Sequence, residues 1–160
     1  MRIEGREIGP GHPPYVVAEL SGEHRGDLAK AMLLVSLAKD AGADAAKLQH
    51  FDPYRLSRER GGGHKVLADG LWKGRQLYDL YAETYTPREW FPHLFEYASR
   101  VGITLFSSVF DEDGVDFLLH LNCPALKISS FSVPDLALLR KAASTGKPLL
   151  LSTGMADCPA

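Results

Sequence analysis

The stretch "YVVAELSGEHRGDLAKAMLLVSLAKDAGADAAKLQH" (Tyr15–His50) decides the fold. "YVVAEL" (Tyr15–Leu20) is a short apolar run after a Pro- and Gly-rich lead, as a buried strand would be. "SGEHRG" is loop-like. Asp27 then stands where an N-cap belongs, ahead of a helix with apolar residues at Leu28, Met32, Val35, Leu37 and Ala38, and Gly42 stands at its C-terminal cap. "AAKLQH" (Ala45–His50) is the next strand. Strand, helix, glycine and strand in this order form a βαβ unit, whose crossover is parallel and right-handed.

The same alternation continues along the chain. From Phe51 to Leu71 the sequence is polar, with Gly61-Gly62-Gly63 in its middle, and reads as a long loop of functional or disordered type. A short helix is predicted over "LYDLYAET" (Leu77–Thr84). Helix 87–100 follows with a proline in its first turn, then strand 103–110, helix 111–121, strand 125–130, helix 133–145 and strand 148–152. Five apolar strands interleaved with helices predict an α/β fold with a parallel sheet covered by helices, or a barrel.

Composition narrows the class. The chain has 160 residues, 45% hydrophobic and 24% charged, with a net charge of −2, so it can bury one core and offers no basic nucleic-acid surface. Cys123 and Cys158 are far apart, which points to reduced thiols rather than a disulfide framework or a Cys-based zinc site. The charged N-terminus lacks the apolar centre of a signal peptide, and no apolar run nears the ~20 residues needed to cross a bilayer. The expected location is the cytoplasm, away from any membrane.

In parallel α/β folds chemistry gathers at the carboxyl ends of the strands. Those ends supply Glu19, then Lys47 and Gln49, then Ser107 and Ser108, then Lys127, Ser129 and Ser130, and finally Ser152 and Thr153. Two lysines, several hydroxyls and one carboxylate suit an anionic, phosphorylated substrate. Lys47 and Lys127 interrupt apolar strands, where an unpaired ammonium is costly. Each is either a site cation or a structural one, and a Lys47–Glu19 ion pair is compatible with both. A single serine more often bonds the backbone; recurrence at successive strand ends is what raises these. His24 is open between substrate contact and loop residue, and Trp72, Tyr78 and Tyr81 are expected to pack a helix onto the body. The remaining histidines show no metal-ligand spacing, so no metal site is expected from the residues themselves.

With these residues in order, the chain resembles the sialic acid (N-acetylneuraminate) synthase family. "VVAELSGEHRGD…GADAAKLQ" is similar to the family's A-E-x-x-x-N-H-x-G and G-A-D-x-x-K-x-Q. "GLWKGRQLYDLYAETYTPREWF" resembles the pseudaminic acid branch, and "LNCPALKISSFSVPDLALLRKAASTGKPLLLSTGM" continues the match. The resemblance implies a TIM-type (β/α)8 barrel that condenses phosphoenolpyruvate with an N-acylated hexosamine. The product is a nine-carbon 2-keto acid of pseudaminic, sialic or legionaminic type. Carbon 3 of phosphoenolpyruvate attacks the sugar aldehyde, water adds at carbon 2, and phosphate leaves. It implies Lys47, Ser108, Lys127, Ser130 and Ser152 as phosphoenolpyruvate contacts, Glu19 as the catalytic carboxylate, and Gln49 and His24 on the sugar side. It also implies a divalent metal, Mn or Mg, with ligands outside this chain, and a homo-oligomer, dimeric in full-length members.

Three positions depart from the family pattern. Glu23 stands where an asparagine is usual, Val109 where a proline is, and Ser132 where a glutamate is. Because a barrel of this type needs about 250 residues, residues 1–160 are expected to be its first five strands. The last strands, the metal histidines and an antifreeze-like domain would then lie elsewhere. Five strands leave two open edges, so a non-catalytic half-barrel that binds phosphoenolpyruvate or phosphate, or assembles with a second chain, is the alternative. A Schiff-base aldolase using Lys47 or Lys127 is a third reading.

Overall fold

The computed structural model describes residues 1–59 and 65–156. The chain opens with a two-stranded antiparallel hairpin, β1 (Arg2–Ile3) and β2 (Arg6–Glu7), absent from the sequence expectation. Its Glu4-Gly5 turn has both residues at positive φ, 44° and 83°, as a tight type I′ connection requires. The alternation then begins with β3 (Val17–Glu19), α1 (Leu28–Asp40), β4 (Ala45–His50), α2 (Pro53–Glu59), α3 (Leu77–Thr84) and α4 (Trp90–Val101). It continues with β5 (Thr104–Val109), α5 (Glu112–His120), β6 (Leu126–Ile128), a 3-10 turn (Ser130–Ser132), α6 (Leu136–Ser144) and β7 (Leu149–Leu151).

Strands β3 to β7 form one parallel sheet in the order β3-β4-β5-β6-β7. Strand order that never reverses is the pattern of a (β/α) barrel; a doubly wound sheet has a switch point. The sheet is therefore five strands of such a barrel, an open half-barrel with β3 and β7 as its edges. Register pairs Glu19 with Lys47 and Lys47 with Phe106. One step further along, Gln49 pairs with Ser108 and Ser108 with Lys127. Because strand side chains alternate, these residues share the concave face. Leu48, His50, Leu105, Val109, Leu126 and Ile128 point to the helices.

That outward face builds the core. It meets Ala31, Val35 and Ala38 of α1, Phe91 and Leu94 of α4, Val115 and Leu118 of α5, and Leu138 and Ala142 of α6, all buried. Each large apolar side chain buried this way contributes about 1.5–3 kcal/mol. Asp27, Asp111 and Asp135 cap α1, α5 and α6 by accepting from the backbone N–H of Lys30, Gly114 and Leu138. Leu37, expected on the buried stripe of α1, is exposed instead.

The two ends of the sheet are closed differently. At the N-terminal end, Thr104 Oγ1 donates to Glu4 Oε2 at 2.6 Å, Arg6 pairs with Asp44, and Ile3 is buried. The hairpin thus covers that end. At the C-terminal end Phe51, Phe110 and Phe131, each just beyond a strand, form a second apolar cluster with Leu56, Tyr81 and Tyr85. Phe51 and Phe110 meet edge to face at 5.6 Å, and Phe110 stacks on Phe131 at 5.6 Å.

The expected long loop from Phe51 to Leu71 is in part helical. Asp52 Oδ1 accepts from Arg55 N–H at 2.7 Å and Pro53 occupies the first turn of α2, where its missing N–H costs nothing. Gly61-Gly62-Gly63 and Cys158 lie outside the described residues. Of the three aromatics expected to hold a helix on the body, Tyr81 does so, whereas Trp72 and Tyr78 are exposed.

Candidate functional site at the C-terminal mouth

The carboxyl ends of β3, β4 and β5 and the segment after β6 surround a concavity of about 210 Å³. Glu19, Lys47, Gln49, Ser108, Lys127 and Ser129 supply its polar wall. Phe51, Leu56, Tyr81, Phe110 and Phe131 form the apolar rest, with Thr84 of α3 at the rim. Among the described residues Glu19 is the only carboxylate lining it.

The polar groups are connected. Lys47 pairs with Glu19 Oε2, and its Nζ also donates to Ser108 Oγ at 3.0 Å. The side chain of Lys47 is 10% exposed against 45% for Glu19, so the ammonium sits inside while the carboxylate faces the opening. Lys127 Nζ donates to Ser129 Oγ at 3.3 Å. Burial, and then the nearby Lys47 charge, hold Lys127 below the ordinary lysine pKa, with Glu19 partly opposing. Two ammoniums lining one small concavity repel each other, and the Glu19 carboxylate on Lys47 offsets part of that repulsion.

Of the sequence-predicted residues, Glu19, Lys47, Gln49, Ser108 and Lys127 are brought together. Ser130 and Ser152 do not line the concavity. Ser130 opens the 3-10 segment, and Ser129 is the serine bonded to Lys127. Ser152, just past edge strand β7, donates its backbone N–H to Ile128 O at 3.1 Å. His24 is 1% exposed. Gly26 N–H donates to its Nδ1 at 3.1 Å, which leaves Nε2 to donate to Thr86 Oγ1 at 3.2 Å, while Trp90 meets the ring edge-on. Both nitrogens are engaged inside the protein, and burial lowers the pKa of the ring, with Lys30 adding to the effect. His24 fastens the loop after β3.

Sequence reasoning missed Ser129 as the partner of Lys127, Ser21, and the aromatic wall. Ser21 Oγ accepts from Gln49 Nε2 at 2.7 Å and donates to Glu19 Oε1 at 2.9 Å. A second concavity of about 750 Å³, lined in part by Ser21, Glu23, Arg25 and Glu83, shares Gln49 and Thr84 with the first. Of the three departures, Glu23 is exposed on this second concavity, Val109 is in the core, and Ser132 is buried. The divalent metal implied by the resemblance is not matched by these residues. No group of three His, Cys, Asp or Glu side chains among the described residues could hold an ion, and Glu19 is already occupied by Lys47 and Ser21.

Five parallel strands in the unbroken order β3 to β7, with their polar residues gathered at the carboxyl ends, define a segment of a β/α-barrel protein. The chain belongs to the NeuB family, whose profile matches residues 34–159. It is 41% identical over 144 residues to pseudaminic acid synthase of Helicobacter pylori, covering 90% of this chain and 42% of that protein. It is 33% identical over 156 residues to human N-acetylneuraminate-9-phosphate synthase, covering 94% and 42%. The structure superposes on N-acetylneuraminic acid synthetase of Leptospira borgpetersenii, solved with citrate, with a TM-score of 0.84 and 28% identity. That match covers 99% of this chain and 50% of the other. The chain thus spans about two fifths of the length of the curated relatives it matches.

Proposed function

We propose that this chain supplies the phosphoenolpyruvate-holding part of a synthase that joins phosphoenolpyruvate to an N-acylated hexosamine, giving a nine-carbon 2-keto sugar acid and inorganic phosphate. The carrying observation is the pair Lys47 and Lys127 at one mouth with Ser108 and Ser129 attached to them. Phosphoenolpyruvate bears two anionic groups, carboxylate and phosphate, and two ammoniums answer them as point charges while hydroxyls fix orientation. Glu19 is the carboxylate placed to handle a proton where water adds at carbon 2 and phosphate departs. The wider concavity beyond Gln49 is the place for the sugar. Identity of 41% to a pseudaminic acid synthase, against 34% to the N,N'-diacetyllegionaminic acid synthase of Legionella pneumophila, supports the pseudaminic branch. Ser130 and Ser152 are retained in this proposal only as resemblance-based contacts.

The test is calorimetric titration with phosphoenolpyruvate. The protein is expected to bind it, and Lys127→Ala to weaken binding at least about tenfold, the loss of one desolvated ion pair. Binding indifferent to Lys127→Ala overturns the assignment. Phosphate release that requires both phosphoenolpyruvate and an N-acyl hexosamine carries the synthase reading further. A second reading, a binding module completed by another chain or a second copy, is favoured by the two open sheet edges. Anion binding without phosphate release, together with a co-purifying partner, supports it.

A further inference from the structure

The loop joining β3 to α1 is held in an unusual backbone state. Ser21 has φ 40° and Arg25 φ 50°, left-handed values that a side chain normally avoids. Such strain persists only where neighbouring structure over-determines it. Here three fastenings do so. Gly22 lies flush on α3, where a Cβ would meet the Cα of Thr84 at 2.7 Å. His24 is buried against Thr86. Gln49 on the neighbouring strand donates to Ser21 Oγ at 2.7 Å.

The result is a grip on one oxygen. Ser21 N–H and Oγ–H both donate to Glu19 Oε1, at 3.1 and 2.9 Å, while Lys47 holds Oε2. An unrestrained glutamate at an open mouth, nearly half exposed, samples several rotamers. A glutamate with both oxygens held presents one geometry, and a positioning group is worth most when the reacting group is otherwise free to swing.

We infer that Ser21 is a positioning residue that fixes the Glu19 carboxylate, and that the left-handed backbone of the β3–α1 loop is maintained to aim its N–H and hydroxyl together. Gln49 orients that hydroxyl by occupying its acceptor side. The chain Gln49–Ser21–Glu19–Lys47–Ser108 then runs from the sugar-side concavity to the anion-side one, so the acid is set by groups from both. The inference rests on the function proposed for Glu19, and the experiment separates the two.

The first measurement is the amide proton resonance of Ser21 with and without Glu19→Gln. It requires no turnover. Loss of a charge-assisted acceptor moves that resonance upfield; a resonance that does not respond overturns the grip. The second is Ser21→Gly, which keeps the N–H, removes the hydroxyl and relieves the strained φ. A positioning role lowers kcat about tenfold, leaves KM for phosphoenolpyruvate within twofold, and leaves the melting temperature equal or higher. Ser21→Gly with unchanged kcat shows the serine to be structural only and overturns the inference. If the unsubstituted chain by itself shows no turnover, the Ser21 resonance still decides the grip, and failure to bind phosphoenolpyruvate is the separate result that overturns the proposed function.

Discussion

His50 points from β4 into the helix layer, where Phe91 and Phe117 flank its ring at 5.1 and 4.8 Å, and it is 9% exposed. Burial, with Arg88 adding and Asp111 opposing, pushes its pKa down to about 4. The unfolded chain therefore binds a proton near pH 6.5 that the folded one refuses until about pH 4. The folded state is most favoured above pH 6.5 and loses stability as pH falls through that window, by about 3 kcal/mol from this group. His24, lowered for the same reason, adds loss in the same direction. Melting temperatures between pH 7 and 4 are expected to fall steeply, and His50→Phe, which keeps the edge-on packing, to flatten that fall. At this scale Lys47 and Lys127 were legible because an ammonium inside an apolar strand demands an explanation. Ser21 was not, since its meaning lies in a backbone angle imposed by α3, Thr86 and Gln49. Ser129 and Ser130 both stood at the end of β6 in the sequence, and which of them bonds Lys127 is set by the tight turn there, whose direction no local pattern records.

Among the elements, α3 does more than its short length suggests. It brings Tyr81 and Thr84 to the mouth, and the Thr84 backbone fixes Gly22. Gly22→Ala is expected to cost about 1–3 kcal/mol, the usual range for forcing a methyl into filled space, or several degrees in melting temperature. Because the nearest obstacles are Thr84 Cβ at 2.5 Å and Cα at 2.7 Å, atoms that alanine keeps, Gly22→Ala combined with Thr84→Ala is expected to recover little of that loss. Recovery to the unsubstituted value would show that only the threonine atoms beyond Cβ were in the way. The five core strands and the helices between them were legible from apolar runs, caps and glycines. Hairpin β1–β2 was not, because two-residue strands carry no periodicity. Helix α2 was passed over although Asp52-Pro53 signals a start, because the polar sequence around it dominates the pattern.

For the whole molecule, the two edges govern behaviour. Among the described residues β7 pairs only with β6 and presents Leu151 half exposed, and β3 pairs only with β4. Apolar edges recruit further strands, and we propose that β3 and β7 are the contact through which these residues meet further strands, of the same or another chain. Leu151→Lys places a charge on that edge and is expected to shift sedimentation toward monomer. Association unchanged by Leu151→Lys would move the contact elsewhere. The long sheet order was readable as a barrel segment from its strictly repeated units, whereas the closure of its lower end was not.

That lower end has a consequence for the order of assembly. The contact between Glu4 and Thr104 joins residues 100 apart in the chain. The hairpin leaves the ribosome well before β5, yet its berth is complete only after β5 has emerged and paired with β4. Contacts of such separation carry the largest loop-closure cost and so form late. A segment synthesised early is therefore among the last to be secured. Until then the underside of the sheet stays wet, and an N-terminal fusion that slows the hairpin's return lengthens the interval in which the nascent chain can be captured or cut.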